Sequence, residues 1–369
     1  MMLASDQFLP KPMLALDLRA LVRRGLLPGV ALVGVAALAL LVGGTTHAFA
    51  AALRRVLDLS PVWVALGAVF ECVSILGYIA LLAFVAGRAT SRIGVRESAQ
   101  VTLTGAAATR LLPTAGAGGA AVTVWALRRA GLGAQAAART LVTFFVLLYA
   151  AFLTAVAVAG TTLAVGLVPS RGPLTLSALP TVAAVLVIGL ALGLAFRSRA
   201  GGHTERPSGS GGRAWQVADV VGGAVRDALQ LVRSRDIRLT GAVVYWGLDA
   251  AVLWAMLHAF GSPPAIPVVA LAYLIGQVAN TVPLPGTVSG GMAGVLIAFG
   301  VSPALAVPAV LAYRTVAVWL PTPAALVAAP GLRATAARWA HERSMSRCSR
   351  ATGVRPSARC SPAATIASV

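Results

Sequence analysis

The sequence predicts an all-α integral membrane protein with about six spanning helices and two re-entrant hairpins, arranged as two inverted repeats with both termini cytoplasmic. Three observations lead there. Hydrophobic residues make up 58% of the chain and charged residues 11%, with a mean hydropathy of +0.84, too apolar for a soluble domain wrapped in water. The acidic and basic residues are absent from long stretches: 25–53, 140–170 and 172–196 hold none, 59–87 holds only Glu71, and 239–332 holds only Asp249 and Arg314. Finally, two apolar segments, 110–119 and 282–291, are broken by the same punctuation, a proline followed five residues later by two glycines: Pro113 with Gly118 and Gly119, and Pro285 with Gly290 and Gly291.

The elements follow in order. Residues 1–27 form a basic cytoplasmic amino end with Lys11, Arg19, Arg23 and Arg24. The span at 28–51 finishes near Ala48, Phe49 and Ala50, which resembles a signal-peptidase site. Its apolar run is about twice a secretory h-region of roughly 7–15 residues, so a retained helix is expected. The first repeat, 28–168, continues with a span at 61–87, a hairpin at 98–127 and a span at 140–168. The hairpin follows from length: the break leaves arms of about fifteen and eight residues, too short for two full crossings. Residues 169–196 supply a connection and the first span of the second repeat, 174–196. The cytoplasmic segment 197–238 opens with a Gly/Ser-rich linker. There Trp215, Ala218, Val221, Val225, Leu229 and Val232 recur at helical spacing, giving an amphipathic helix on the membrane surface or a solvated connector. The rest of the second repeat, 239–330, holds a span at 239–260, a hairpin at 265–300 with a longer first arm, and a span at 303–330. A basic tail, 331–369, is expected to be disordered and to favour anionic lipid.

Charge sets the orientation. With the amino terminus inside, 24 Lys and Arg residues fall on the cytoplasmic side and only Arg54, Arg55 and Arg171 outside, while Arg110, Arg139 and Arg314 lie at membrane depth. The first hairpin then opens to the cytoplasm and the second to the outside, so the halves are inverted, an arrangement suited to alternating access.

Candidate substrate-binding residues come from the breaks and the intramembrane charges. Pro113, Pro283 and Pro285 stop helices by removing a donor. Gly116, Gly118, Gly119, Gly286, Gly290 and Gly291 let the backbone turn and approach a ligand closely. Helices restarting there would aim amide N–H groups at an anionic headgroup, although glycine and proline also simply pack membrane helices. Arg139 and Arg314 begin or interrupt the last helix of each half, each followed by threonine. Glu71 and Asp249 occupy the second helix of each half, as coupling groups or as neutralising partners of the arginines. Tyr313 adjoins Arg314; Arg110 precedes the first break, and Asn280 is the nearest polar counterpart in the second.

Other chemistries find no support. No Ser-His-Asp, H-E-x-x-H or phosphate-loop pattern occurs, so no enzyme is expected, and no cofactor. Cys72, Cys348 and Cys360 form no metal-ligand spacing. His47 and His258 sit near span ends as interfacial residues. The arginine excess accompanies a composition rich in Ala and Gly and gives no nucleic-acid signal. Surfaces of Ala and Gly permit close packing, within a protomer or in a homo-oligomer.

The residues 282–294, with 298–302 and 312–321 behind them, resemble the signature of the lysylphosphatidylglycerol synthase transmembrane, or flippase, family; 70–78 and 245–254 are similar to its stand-alone bacterial members. The resemblance spans about 30–330 and departs in one respect: Ser289 and Met292 to Gly294 supply no acid where a glutamate is common. It implies a multi-pass protein of the bacterial plasma membrane that moves a phospholipid or polyprenyl-linked lipid between leaflets, with anionic headgroups as partners. No aminoacyltransferase domain follows, so lysyl transfer is not expected. A small-solute or anion secondary transporter, and a membrane scaffold for lipid enzymes, are the competing readings.

Overall fold

The computed structural model describes residues 60–111, 117–169, 172–200, 210–279 and 286–352. By its internal contacts the chain divides into two units, 1–58 with 111–113 and 59–110 with 114–369; apart from Leu111 the described residues belong to the second. Among them every regular element is helical: α1 Pro61–Ala89, α2 Val95–Leu111, α3 Ala117–Arg129, α4 Ala134–Ala164, α5 Leu174–Ala200, α6 Ser210–Arg233, a 3₁₀ turn Ile237–Thr240, α7 Gly241–Phe260, α8 Ile266–Ala279, α9 Thr287–Ala298, α10 Pro303–Trp319 and α11 Thr322–Thr352. The expected span at 28–51 lies outside the described residues.

Five stretches are long and apolar enough to cross a membrane: Pro61–Ala89, Ala134–Ala164, Leu174–Phe196, Ile237–Phe260 and Pro303–Met345. Their outer faces carry exposed Val62, Leu76, Val158, Leu179, Leu186, Leu190 and Leu326. In water such a surface would aggregate; in hydrocarbon it is what a spanning helix requires.

The central pair is α1 against α7, the most extensive helix contact. Glycine makes it close. A Cβ on Gly77 would lie 2.8 Å from the Gly241 carbonyl oxygen, and one on Gly67 would lie 2.7 Å from Met256 Cε. Small residues at such crossings let backbones approach where lipid gives no hydrophobic drive. Ser74 Oγ donates to the Tyr245 carbonyl at 2.9 Å, and Trp246 Nε1 donates to the Leu148 carbonyl at 2.9 Å, tying α7 to both α1 and α4.

Two pairs of short helices flank this core. At 1.5 Å per residue, α2 and α3 are about 26 and 20 Å long and α8 and α9 about 21 and 18 Å, all short of a hydrocarbon core of roughly 30 Å. The arms of each pair fold back on one another at glycine: Gly105 faces Gly119, and Gly276 faces Gly291. The second pair does not have the longer first arm that the sequence suggested, because α8 ends at Ala279 after 14 residues. Ahead of α9, Gly286 adopts φ +87°, the left-handed region where a side chain is strained.

Three further expectations are corrected. The span at 303–330 is interrupted at Leu320 and Pro321, where α10 stops and α11 begins. The tail from 331 is not disordered throughout; α11 runs on to Thr352. Its inner face buries Leu332, Thr335, Ala336 and Trp339, and Thr335 Oγ1 donates to Gln100 Oε1 at 3.1 Å. An Arg92–Glu342 ion pair at 3.6 Å adds a second link to the region around α2. The apolar face of α6 meets protein rather than lipid, packing on α4 and α5. The buried positions are Gly223, Ala224, Val225 and Ala228, with Leu231 packed against the core, whereas Val232 is exposed.

Between α6 and α7, Asp236 caps the 3₁₀ turn. It accepts from the Arg238 guanidinium and amide, and those bonds hold its carboxyl at about 2.

Candidate functional site

A cavity of about 810 Å³ lies among α1, α2, α3, α4, α7, α8 and α10. Its walls differ in chemistry. Glu71 from α1, Asp249 from α7, Gln277 from α8, and Tyr313 with Arg314 from α10 make one polar wall. Thr102, Gly105, Thr109, Gly119 and Thr123 make a second, from the first short-helix pair. A third, from α4, is aromatic and aliphatic: Phe145, Tyr149, Phe152 and Leu153.

The polar wall is organised around Asp249, which is only 7% exposed. A buried carboxylate is costly unless donors satisfy it. Tyr273 Oη donates to Asp249 Oδ2 at 2.7 Å, and Tyr313 Oη donates to Oδ1 at 3.0 Å. Gln277 Nε2 donates in turn to Tyr313 Oη at 3.2 Å. Tyr273 and Gln277 stand one turn apart on α8, so the helix presents both to the same neighbour. The two tyrosines are almost wholly buried, and their rings meet edge to face with centroids 6.1 Å apart. Arg314 follows Tyr313 directly, so the network that fixes Tyr313 also fixes the backbone from which Arg314 reaches the cavity. Glu71, 3% exposed, lines the same space from α1.

On the hairpin wall the contact between arms is polar as well as close. Gly119 donates its amide to Thr109 Oγ1 at 2.9 Å, and Thr123 Oγ1 donates to the Gly119 carbonyl at 2.9 Å. The Gly119 N–H is therefore engaged by Thr109, not left aimed at a ligand as the sequence reading expected. Thr102 offers the cavity a buried hydroxyl oxygen with no hydrogen-bond partner, a position where a ligand's polar group would be satisfied.

Of the residues singled out from sequence, Glu71, Gly119, Asp249, Tyr313 and Arg314 come together at this cavity. Gly118, Gly286, Gly290 and Gly291 are not among its lining residues; Gly118 packs on the backbone at Ala108 and Gly291 on Gly276. Arg139 is elsewhere too. Its guanidinium makes a two-point pair with Asp227 of α6, at 2.6 and 2.7 Å, in a setting where Arg139 is 52% exposed. The expected symmetry of two acid and arginine sets is thus not met at the cavity, which takes both acids and one of the two arginines. Pro113, Gly116, Asn280, Pro283, Pro285 and the Arg110 side chain lie outside the described residues. Sequence reasoning missed Tyr273, Gln277 and the aromatic wall. The Tyr-x3-Gln spacing on an otherwise apolar segment was the available signal for the first two. His258, expected at an interface, stacks on Trp63 with ring centroids 4.3 Å apart.

An all-helical, multi-pass membrane protein built around a polar cavity is the class these features define. The chain belongs to the family described as the lysylphosphatidylglycerol synthase TM region, which it matches over residues 27–325. That membership makes it a membrane protein involved in lipid handling. No curated protein matches the chain, and no solved structure does.

Proposed function

We propose that the protein moves a lipid, phospholipid or polyprenyl-linked, between the leaflets of a bacterial plasma membrane, and that it is a transporter rather than an enzyme. One observation carries the reading: a cavity among helices fit to span a bilayer is lined by Glu71, Asp249, Gln277, Tyr313 and Arg314. Ionisable groups at membrane depth are costly and are retained at substrate pathways. Arg314 is the group suited to a headgroup phosphate, because a guanidinium offers several donors to phosphate oxygens. The short pairs α2–α3 and α8–α9 act as re-entrant hairpins in two inverted repeats, with both termini cytoplasmic. The near-equal spacing of their glycine contacts supports this: Gly119 and Gly291 are 172 residues apart, Gly105 and Gly276 171.

The test begins with the lipids that copurify with the protein in mild detergent, beside Arg314→Ala. A lipid class enriched by the wild type and lost from the variant names the cargo, and fluorescent leaflet exchange of that lipid in proteoliposomes should then depend on Arg314. Exchange equal to protein-free vesicles would reject the proposal.

A second reading has its own observation, since two carboxylates and one arginine share the cavity. A small-solute secondary transporter would use Glu71 and Asp249 as proton or cation sites. It predicts solute flux that loses proton coupling in Glu71→Gln, with no effect on lipid exchange.

A further inference from the structure

We infer that the cavity opens sideways into the bilayer at Tyr149 of α4 and Val187 of α5, and that an acyl or prenyl chain of the cargo lies there while its headgroup sits at Arg314. The inference rests on the lipid-moving reading and adds to it a second binding region, apolar and separate from the headgroup wall.

Tyr149 and Val187 both line the cavity, yet they are 48% and 49% exposed. A residue can do both only where the wall is also the outside of the bundle. The chemistry outside that point is hydrocarbon: residues 140–170 and 172–196 carry no charge, and α5 turns Leu179, Val182, Leu186 and Leu190 outward, each more than half exposed. An opening there leads into lipid, because a charge-free surface of this kind does not hold a water-filled vestibule. Moving inward, Phe152 and Leu153 continue the apolar wall until it meets Glu71, Asp249 and Arg314. The polarity of the lining therefore runs in one direction, from hydrocarbon outside to charge inside. A small hydrated ion or solute has no use for the apolar half of that gradient, whereas an amphiphile matches both halves. The volume, about 810 Å³, lies towards the top of the roughly 300–1,000 Å³ of ordinary ligand pockets, and so leaves room beyond a headgroup.

The experiment uses the full chain in proteoliposomes of phosphatidylglycerol and phosphatidylethanolamine, with the photoreactive residue p-benzoylphenylalanine replacing Tyr149, or Val187 should the first variant fold poorly. The same residue replaces Leu186, on the outward face of α5, as a reference for lipids that merely surround the protein. Irradiation and mass spectrometry read the adduct. The inference expects a lipid adduct at 149 or 187 that falls about tenfold when Arg314→Ala removes the headgroup contact, with the adduct at 186 unchanged. Adducts at all positions that ignore Arg314→Ala, while that variant has lost leaflet exchange, overturn the sideways opening and leave the transport reading standing. A crosslink from 149 or 187 to a second copy of the chain also overturns it, by making this face a protomer contact. If Arg314→Ala exchanges lipid as the wild type does, the transport reading itself fails and the opening fails with it.

Discussion

Tyr313 gives its hydroxyl hydrogen to Asp249 at 3.0 Å while accepting from Gln277 at 3.2 Å. The residue before the cavity arginine is thereby pinned between α7 and α8. Removing the hydroxyl leaves a buried carboxylate oxygen short of a donor, which in a membrane interior costs about 1–2 kcal/mol. Tyr313→Phe and Tyr273→Phe should each lower the thermal unfolding temperature in detergent. Because both serve one carboxylate, the double variant should depart from additivity; strictly additive losses would mean the two bonds act independently.

Arg139 offers the opposite expectation to Arg314. Its pair with Asp227 fastens α6 to the start of α4 on an exposed surface, where such pairs are worth about 0.2–1 kcal/mol. Arg139→Ala and Asp227→Asn should each reduce stability by no more than that and leave lipid exchange intact. A loss of exchange in Arg139→Ala equal to that in Arg314→Ala would return Arg139 to the transport path.

The glycines should separate by surroundings. A Cβ on Gly118 would meet the Ala108 carbonyl oxygen at 2.8 Å, and backbone cannot swing aside. Gly118→Ala should therefore destabilise by about 1–3 kcal/mol. Nothing lies within 4 Å of a Cβ on Gly290, so Gly290→Ala should be stable, and any loss of exchange it shows would report on substrate and not on folding. Paired unfolding and exchange assays distinguish the two.

The α11 helix depends on Trp339, 6% exposed at its inner face. Trp339→Ala should cost about 3–5 kcal/mol, read as a lowered unfolding temperature and earlier proteolysis of α11. An unchanged protein would mean that α11 docks through its polar links to Gln100 and Arg92 alone.

Much of this architecture is visible in the sequence, because membrane helices announce themselves by missing charges and because Pro and Gly mark where they end. Glu71, Asp249 and Arg314 stood out for the same reason: a charge in a long apolar run is rare. Arg139 shows where that reasoning stops. It matches Arg314 by sequence offset, yet it is the sixth residue of α4 while Arg314 is the twelfth of α10. At 1.5 Å per residue this puts Arg314 roughly 9 Å further along its helix, a difference that depends on helix starts the charge pattern does not fix. Its partner, Asp227, is 88 residues away. Tyr273 and the aromatic wall were hidden because apolar residues suit lipid, core and cavity alike. The helical tail was hidden by its arginines, which drew attention from Leu332, Ala336 and Trp339, spaced to line one face.

The seams at Gly105 with Gly119 and at Gly276 with Gly291 are contacts made from what is missing. Packing elsewhere in the bundle has side chains that can shrink, grow or repack, so mutation can compensate in either direction. At these four positions the chain already has its smallest residue, and every substitution adds atoms to a closed gap. Drift there runs one way, towards pushing the two arms of each short pair apart.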